Sequence, residues 1–290
     1  MKLAIQLRRQ KKVNRSLPVD MILIIILAGL GTFMAIPFVY MIGMALKPLD
    51  EMFLFPPTIL VRNPTLNNFF DLFNIFANSW VPISRYMFNT FFIAFLGTGG
   101  HVILASMAAY PLAKLDIKGK KVLFTMVVLS LMFSPIVTSI PNYLTITWLG
   151  MLNTYWSVII PAFASSLGLF LMKQFMEQIP DAIIESAKID GASDYRIFWN
   201  IVMPTVKPAW LTLIIFSFNG LWGGGMSGTF IYSEQLKPMG AAFATILAGG
   251  IARTGAMSVA ALIMMIVPIG VFIFSQSNVI ETMSTSGMKD

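Results

Sequence analysis

Glu185 and Asp190 are the residues best placed to do chemistry in this chain, and that chemistry is charge recognition of a basic partner rather than bond breaking. Both lie in ESAKIDGASDYRIFWNIVMP, residues 185–204, the one long polar stretch of a sequence that is 57% hydrophobic and 11% charged. Soluble domains carry about 25% charged residues, so most of this surface has to face lipid. No carboxylate pair, histidine cluster or nucleophile–base set is visible, which argues against an intramembrane enzyme. The chain has no cysteine and a single histidine, His101. Thiol chemistry, disulfides and a paired-histidine metal site are thereby excluded, and His101 reads as a buried hydrogen-bonding residue. No G-x-x-x-x-G-K-[ST] phosphate loop occurs. This chain therefore carries no nucleotide site of that type, and no cofactor is expected.

The elements that position these residues are membrane helices. Runs free of Asp, Glu, Lys and Arg cover 21–46, 86–113, 122–172, 208–233 and 254–280. A crossing helix needs about 20 apolar residues, and the 122–172 run is long enough for two crossings and a turn. The expected fold is all-α and polytopic, with six transmembrane helices at about 20–46, 87–112, 122–140, 155–172, 208–230 and 257–277. Residues 1–19 and 281–290 are read as tails. The first run is too long for a signal-peptide core and reads as a retained anchor. Of the 20 basic residues, 15 fall in the 1–19 tail, the 113–121 loop, the 173–207 loop and the C-terminal tail. The positive-inside rule makes that face cytoplasmic and puts both termini there.

The polar segment reads as two short helices around a glycine. Pro180 and Asp181 open the first, with fixed φ and an anion at its positive end. Ile183, Ile184 and Ala187 give it an apolar stripe. Gly191 ends it, with Lys188 in the last turn. Ser193 and Asp194 start a second helix carrying Ile197, Phe198 and Ile201 on one side. Pro204 and Pro208 mark the approach to the fifth crossing. By itself this element could lie in a protein groove or on the lipid headgroups.

Gly220, Gly223, Gly224, Gly225 and Gly228 crowd the fifth crossing. Each glycine weakens a helix by about 1 kcal/mol relative to Ala, so a break is expected. Irregular backbone at membrane depth needs a protein-lined or watery home. Asn219, Trp222 and Tyr232 would then line a path; the alternative is close small-residue packing.

Glu185, Ala187, Gly191, Ile201 and Pro204 stand at the spacing of the EAA loop of ABC-importer permeases. MALKPLDEMFLFPPTIL, NPTLNNFFDLF, RYMFNTFFIAF, AAYPLAKLDIKGKK and PNYLTITWLGMLNTYWSVIIP extend the likeness from about residue 18 to 280. Together they resemble the carbohydrate-uptake branch, the maltose-transporter type. Ser186 stands where that family usually has its second Ala. The resemblance implies an ATPase-coupling loop built on Glu185, Ser186, Ala187, Asp190, Gly191, Ala192, Phe198, Ile201 and Pro204. It also implies a second, non-identical permease, two ATPase subunits and an external solute-binding protein as partners, with a sugar or oligosaccharide as substrate. Aromatic faces and amides, as at Asn219, Trp222 and Tyr232, suit such a solute. Outer residues 234–256 would project toward the binding protein, unless they form a re-entrant helix without a partner. The outer 47–86 segment would be a second docking surface and a pairing surface for the other permease. The competing class is an ion-coupled secondary transporter. That class usually needs an intramembrane carboxylate, and none falls near the middle of the six crossings.

Overall fold

The computed structural model describes residues 17–56, 58, 60–77, 80–224 and 227–286, with no side-chain description at 17, 135, 244, 245 and 276–286. The basic residues before 17, the last four residues and Gly225 lie outside the described residues. Among these residues every regular element is a helix.

A long α1 (Leu17–Leu46) leads through short α2 (Leu49–Met52) and amphipathic α3 (Asn67–Ala77) into α4 (Ile83–Lys114). Then come α5 (Lys120–Ser130), α6 (Pro135–Trp148), α7 (Trp156–Phe163) and α8 (Ser166–Glu177). The polar segment forms α9 (Asp181–Ile189), α10 (Asp194–Ile197), a π-helical turn at Phe198–Val202 and α11 (Met203–Thr205). The chain finishes with α12 (Lys207–Trp222), α13 (Ser227–Phe230), α14 (Met239–Leu247) and α15 (Thr254–Ser286).

Among the described residues four helical stretches are long and apolar enough to cross a bilayer: Pro18–Leu46, Ile83–Lys114, Trp156–Glu177 (α7 and α8 together) and Ile251–Ser275. The other two expected crossings are broken. The third, read as 122–140, is split into α5 and α6. Ser134 caps α6 by accepting from Ile136 N (3.4 Å), and Pro135 starts it where a missing N–H costs nothing. At the start of α5 Lys120 Nζ donates to Leu115 O, and near the end of α6 Ile146 packs with Phe230 and Ile231. The fifth crossing, read as 208–230, stops at Trp222. Its 16 residues reach only about 24 Å at 1.5 Å per residue. Gly223 and Gly224, the latter at φ +83°, end it, and α13 is a separate turn. The helix break expected from the glycines is present. Among the described residues α1 runs from Leu17 and α15 to Ser286.

α4 is the axis of the bundle, packed on α7, α8 and α12. Small residues let these helices close up: a Cβ on Gly100 would stand 2.2 Å from Phe163, and one on Gly168 2.1 Å from His101 Nε2. Lipid tails are as apolar as Leu, so such packing and polar links, rather than apolar transfer, hold crossing helices together. His101 supplies one link, with Nδ1 3.0 Å from Ser217 Oγ of α12. Lys173 supplies another, pairing with Glu177 at 2.5 Å and lying 3.8 Å over the Phe124 ring of α5.

Candidate functional site

The polar segment is built by local rules and then fixed to the bundle. Asp181 opens α9 and pairs with Lys114 Nζ of α4 at 2.7 Å. That hydrogen bond and charge hold the Asp181 carboxyl below its usual value. The same ammonium donates to Glu177 O at 3.3 Å and to Ile179 O. α9 ends in a Schellman motif: Ala192 N donates to Ala187 O and Gly191 N to Lys188 O, both at 3.0 Å. Gly191 is the left-handed residue this requires, at φ +80°. Ser193 Oγ accepts from Arg196 N (3.4 Å) and starts α10. Asp194 then ties three elements, receiving Lys188 Nζ at 3.2 Å and Tyr110 Oη of α4 at 3.5 Å.

This geometry sorts the sequence-derived residues onto two faces. Ile184, Ala187, Ile197, Phe198 and Val202 turn inward onto Tyr110, Met172, Met176 and Ile179. Ala187 and Phe198 therefore do not belong to an outward docking surface; they weld the element to its own bundle. Ile201 and Ala192 are half-buried. Glu185, Ser186, Asp190, Gly191 and Pro204 face outward. Among the described residues neither Glu185 nor Asp190 has an ion-pair partner. Ile189 stands beside them, 86% exposed, and Tyr195 is also bare. Sequence reading missed Ile189, although an isoleucine off the apolar stripe of a short helix was a usable signal. The helix Asp194–Thr205 meets α12 at a 77° bend, so the polar segment is joined to α12 through a sharp corner.

A second feature lies at the opposite end. A cavity of about 330 Å³ is lined by Asn142, Ser157, Pro161, Gly220, Gly224 and Phe230, among others. It adjoins the glycine break. Asn219 and Tyr232 are exposed, but Trp222 is not a liner: it is 3% exposed, stacks on Phe218 and donates from Nε1 to Met264 O at 2.7 Å. Asn142 and Ser157 sit on α6 and α7, far in sequence from the glycines, and so escaped notice.

The described parts of segments 47–86 and 234–256 carry specific contacts. Glu51 accepts from Arg62 N (2.8 Å) and Asn63 N (3.2 Å), and the Arg62 bond leads in lowering its pKa. Asn68 Nδ2 donates to Ala45 O and Lys47 O at 2.9 and 2.7 Å. α14 buries Met239, Ala242 and Ile246 and packs on α4 and α15. Among the described residues no group of three or more His, Cys, Asp or Glu could hold a metal.

Residues 13–282 match the binding-protein-dependent transport system inner membrane component family. The chain belongs to that family. Protein LplC of Bacillus subtilis (strain 168) is 33% identical over 223 residues, 75% of this chain and 72% of that protein. The polygalacturonan/rhamnogalacturonan transport system permease protein YtcP of the same organism is 33% identical over 163 residues, 53% of this chain and 56% of that one. A bacterial ABC transporter involved in the import of the acidic polysaccharide alginate has a similar fold, with a TM-score of 0.77 at 20% identity over 92% of this chain and 99% of its own. The permease is thus a multi-pass membrane protein of a binding-protein-dependent system.

Proposed function

We propose that this permease imports a sugar or oligosaccharide and is driven through its polar segment by a separate ATPase. The observation that carries this reading is the two-faced element α9–α11. Its inner face is buried in the crossing helices, while Glu185, Ser186, Ile189, Asp190 and Gly191 are presented outward. That patch has one apolar anchor flanked by two carboxylates, which suits a groove with a basic rim. The family's dependence on a binding protein supports an external receptor. A second, non-identical permease would complete the path, and two ATPases would bind, one to each permease. The 15-to-5 split of basic residues supports a cytoplasmic position for the polar segment and both termini.

The saccharide reading rests on the cavity, where half-buried Asn142 offers hydrogen bonds beside Phe230. It also draws on the relatives' substrates, polygalacturonan/rhamnogalacturonan and alginate. Asn219 and Tyr232, exposed beside the glycine break, belong to the same path. The ion-coupled alternative has no carboxylate in the central part of any crossing segment to carry the ion. Purification of the tagged permease from its native membrane tests the assembly. Recovery with a second permease and an ATPase is the expected result, and saccharide transport by this chain alone, without ATP, is the contrary one.

A further inference from the structure

The chain leaving α12 returns to its own start. Gly240 lies so close to Gly223 that a Cβ on it would stand 2.9 Å from Gly223 O. Of the chain between these glycines, residues 227–239 form a flap whose two ends lie close together. Phe230 at its middle lines the cavity and stacks on Tyr143 of α6, with centroids 6.1 Å apart. The flap is held from two sides. Asn153 N donates to Phe230 O and Asn153 Oδ1 accepts from Ser233 N, both at 2.8 Å. On the other side stands Asn89 of α4, with 0% exposure. Its Nδ2 donates to Gln235 O at 2.9 Å and to Lys237 O at 2.8 Å, and its Oδ1 accepts from Tyr155 Oη at 2.7 Å. Both amide hydrogens are used, and all the bonds go to the flap or to the neighbour of the cavity wall. One residue on, Thr90 Oγ1 accepts from Met239 N at 2.7 Å. Tyr86 Oη, one turn back, donates to Glu234 Oε1 at 2.6 Å.

We infer that Asn89 is a positioning residue for transport: it clasps the 227–239 flap, with Phe230, shut over the cavity until the loaded binding protein releases it. A crossing helix that needed only packing would place an apolar residue here, because a buried amide is costly unless its hydrogen bonds are made. A buried amide with its donors spent on the backbone of one flap suits a contact made in one state and exchanged in another. The inference rests on the importer reading above, and it adds the residue that couples the outer closure to the crossing helices.

The test uses the whole assembly in lipid vesicles, with Asn89→Asp, which keeps size and Oδ1 but loses both donors, and with Tyr155→Phe as the milder variant. Two readouts are taken. One is ATP turnover without and with loaded binding protein. The other is reaction of an Asn142→Cys substitution with a charged thiol reagent added from outside, in a chain that has no cysteine of its own. Loss of the clasp should raise binding-protein-independent turnover roughly tenfold, as expected for one or two lost hydrogen bonds, with stimulation falling by the same factor. Asn142→Cys should then be labelled without binding protein, and Tyr155→Phe should move both readouts the same way by less. If basal turnover and labelling stay at the unsubstituted level in both variants, or if basal and stimulated turnover fall together, Asn89 is not a clasp. Absence of binding-protein stimulation in the unsubstituted assembly would count against the importer reading, while the labelling arm, which needs no ATP hydrolysis, would still decide the clasp.

Discussion

Asp181 shows how a single exposed side chain links a helix start to the bundle. Lys114 holds its carboxylate in the charged form, so its pKa is lowered on folding. The stabilisation is therefore present above the unfolded value near about pH 3.9, and disappears as pH falls through the lower, folded value. Comparing thermal unfolding of the purified permease with that of Asp181→Asn checks this. The difference should be constant from pH 7 to about 5 and shrink below about 4; a difference that grows in acid would be inconsistent with the pair. Asp181, Gly191 and Ser193 were legible in the sequence because caps depend on near neighbours. Trp222 was not, because the acceptor of its indole N–H, Met264 O, lies 42 residues away. Ala187 misled for the same reason. Its small side chain fits a close approach, but the surface it approaches is the permease's own α4 and α8.

At the scale of elements, a short helix pair transmits force only if one face is anchored and the other free, and α9–α11 meets both conditions. The sequence displayed this amphipathicity, but it did not reveal the π-helical turn at Phe198–Val202 or the 77° corner before α12. Both depend on how the inward residues pack. The glycine cluster did announce its break, because five glycines oppose a helix wherever they are placed. The split of the third crossing at Ser134–Pro135 was equally visible locally, yet it was masked by a charge-free run twice the length of one helix. The path near the glycines makes a contrast that single cysteines test. Substitutions at Asn219 and Tyr232 should react with water-soluble thiol reagents, and one at Trp222, enclosed by Phe91, Phe218 and Met264, should not. Reaction at Trp222 with silence at the other two would mean that the path runs on the other side of α12.

For the whole molecule, six crossings with both termini on the cytoplasmic side are the arrangement expected from the apolar runs and the 15-to-5 split of basic residues. Reporter fusions near residues 60, 118, 148, 190, 245 and 285 should read out, in, out, in, out, in. An external signal at 118 or 190 would reverse the orientation. Fold class was legible because hydropathy is summed over many residues. Helix packing and the flap at 227–239 were not, since contacts such as Asn89 to Gln235 span 146 positions. The central claim is that the outward face of α9 receives the ATPase. The most direct measurement compares Glu185→Lys with the unsubstituted permease, in the complete assembly in lipid vesicles, by ATPase pull-down and by turnover stimulated with loaded binding protein. A like charge set against a basic rim can cost several kcal/mol, and Glu185, exposed in the lone chain, contributes nothing visible to folding. The account predicts normal membrane insertion with loss of ATPase association or of stimulated turnover. Normal association together with normal stimulated turnover in Glu185→Lys would contradict it.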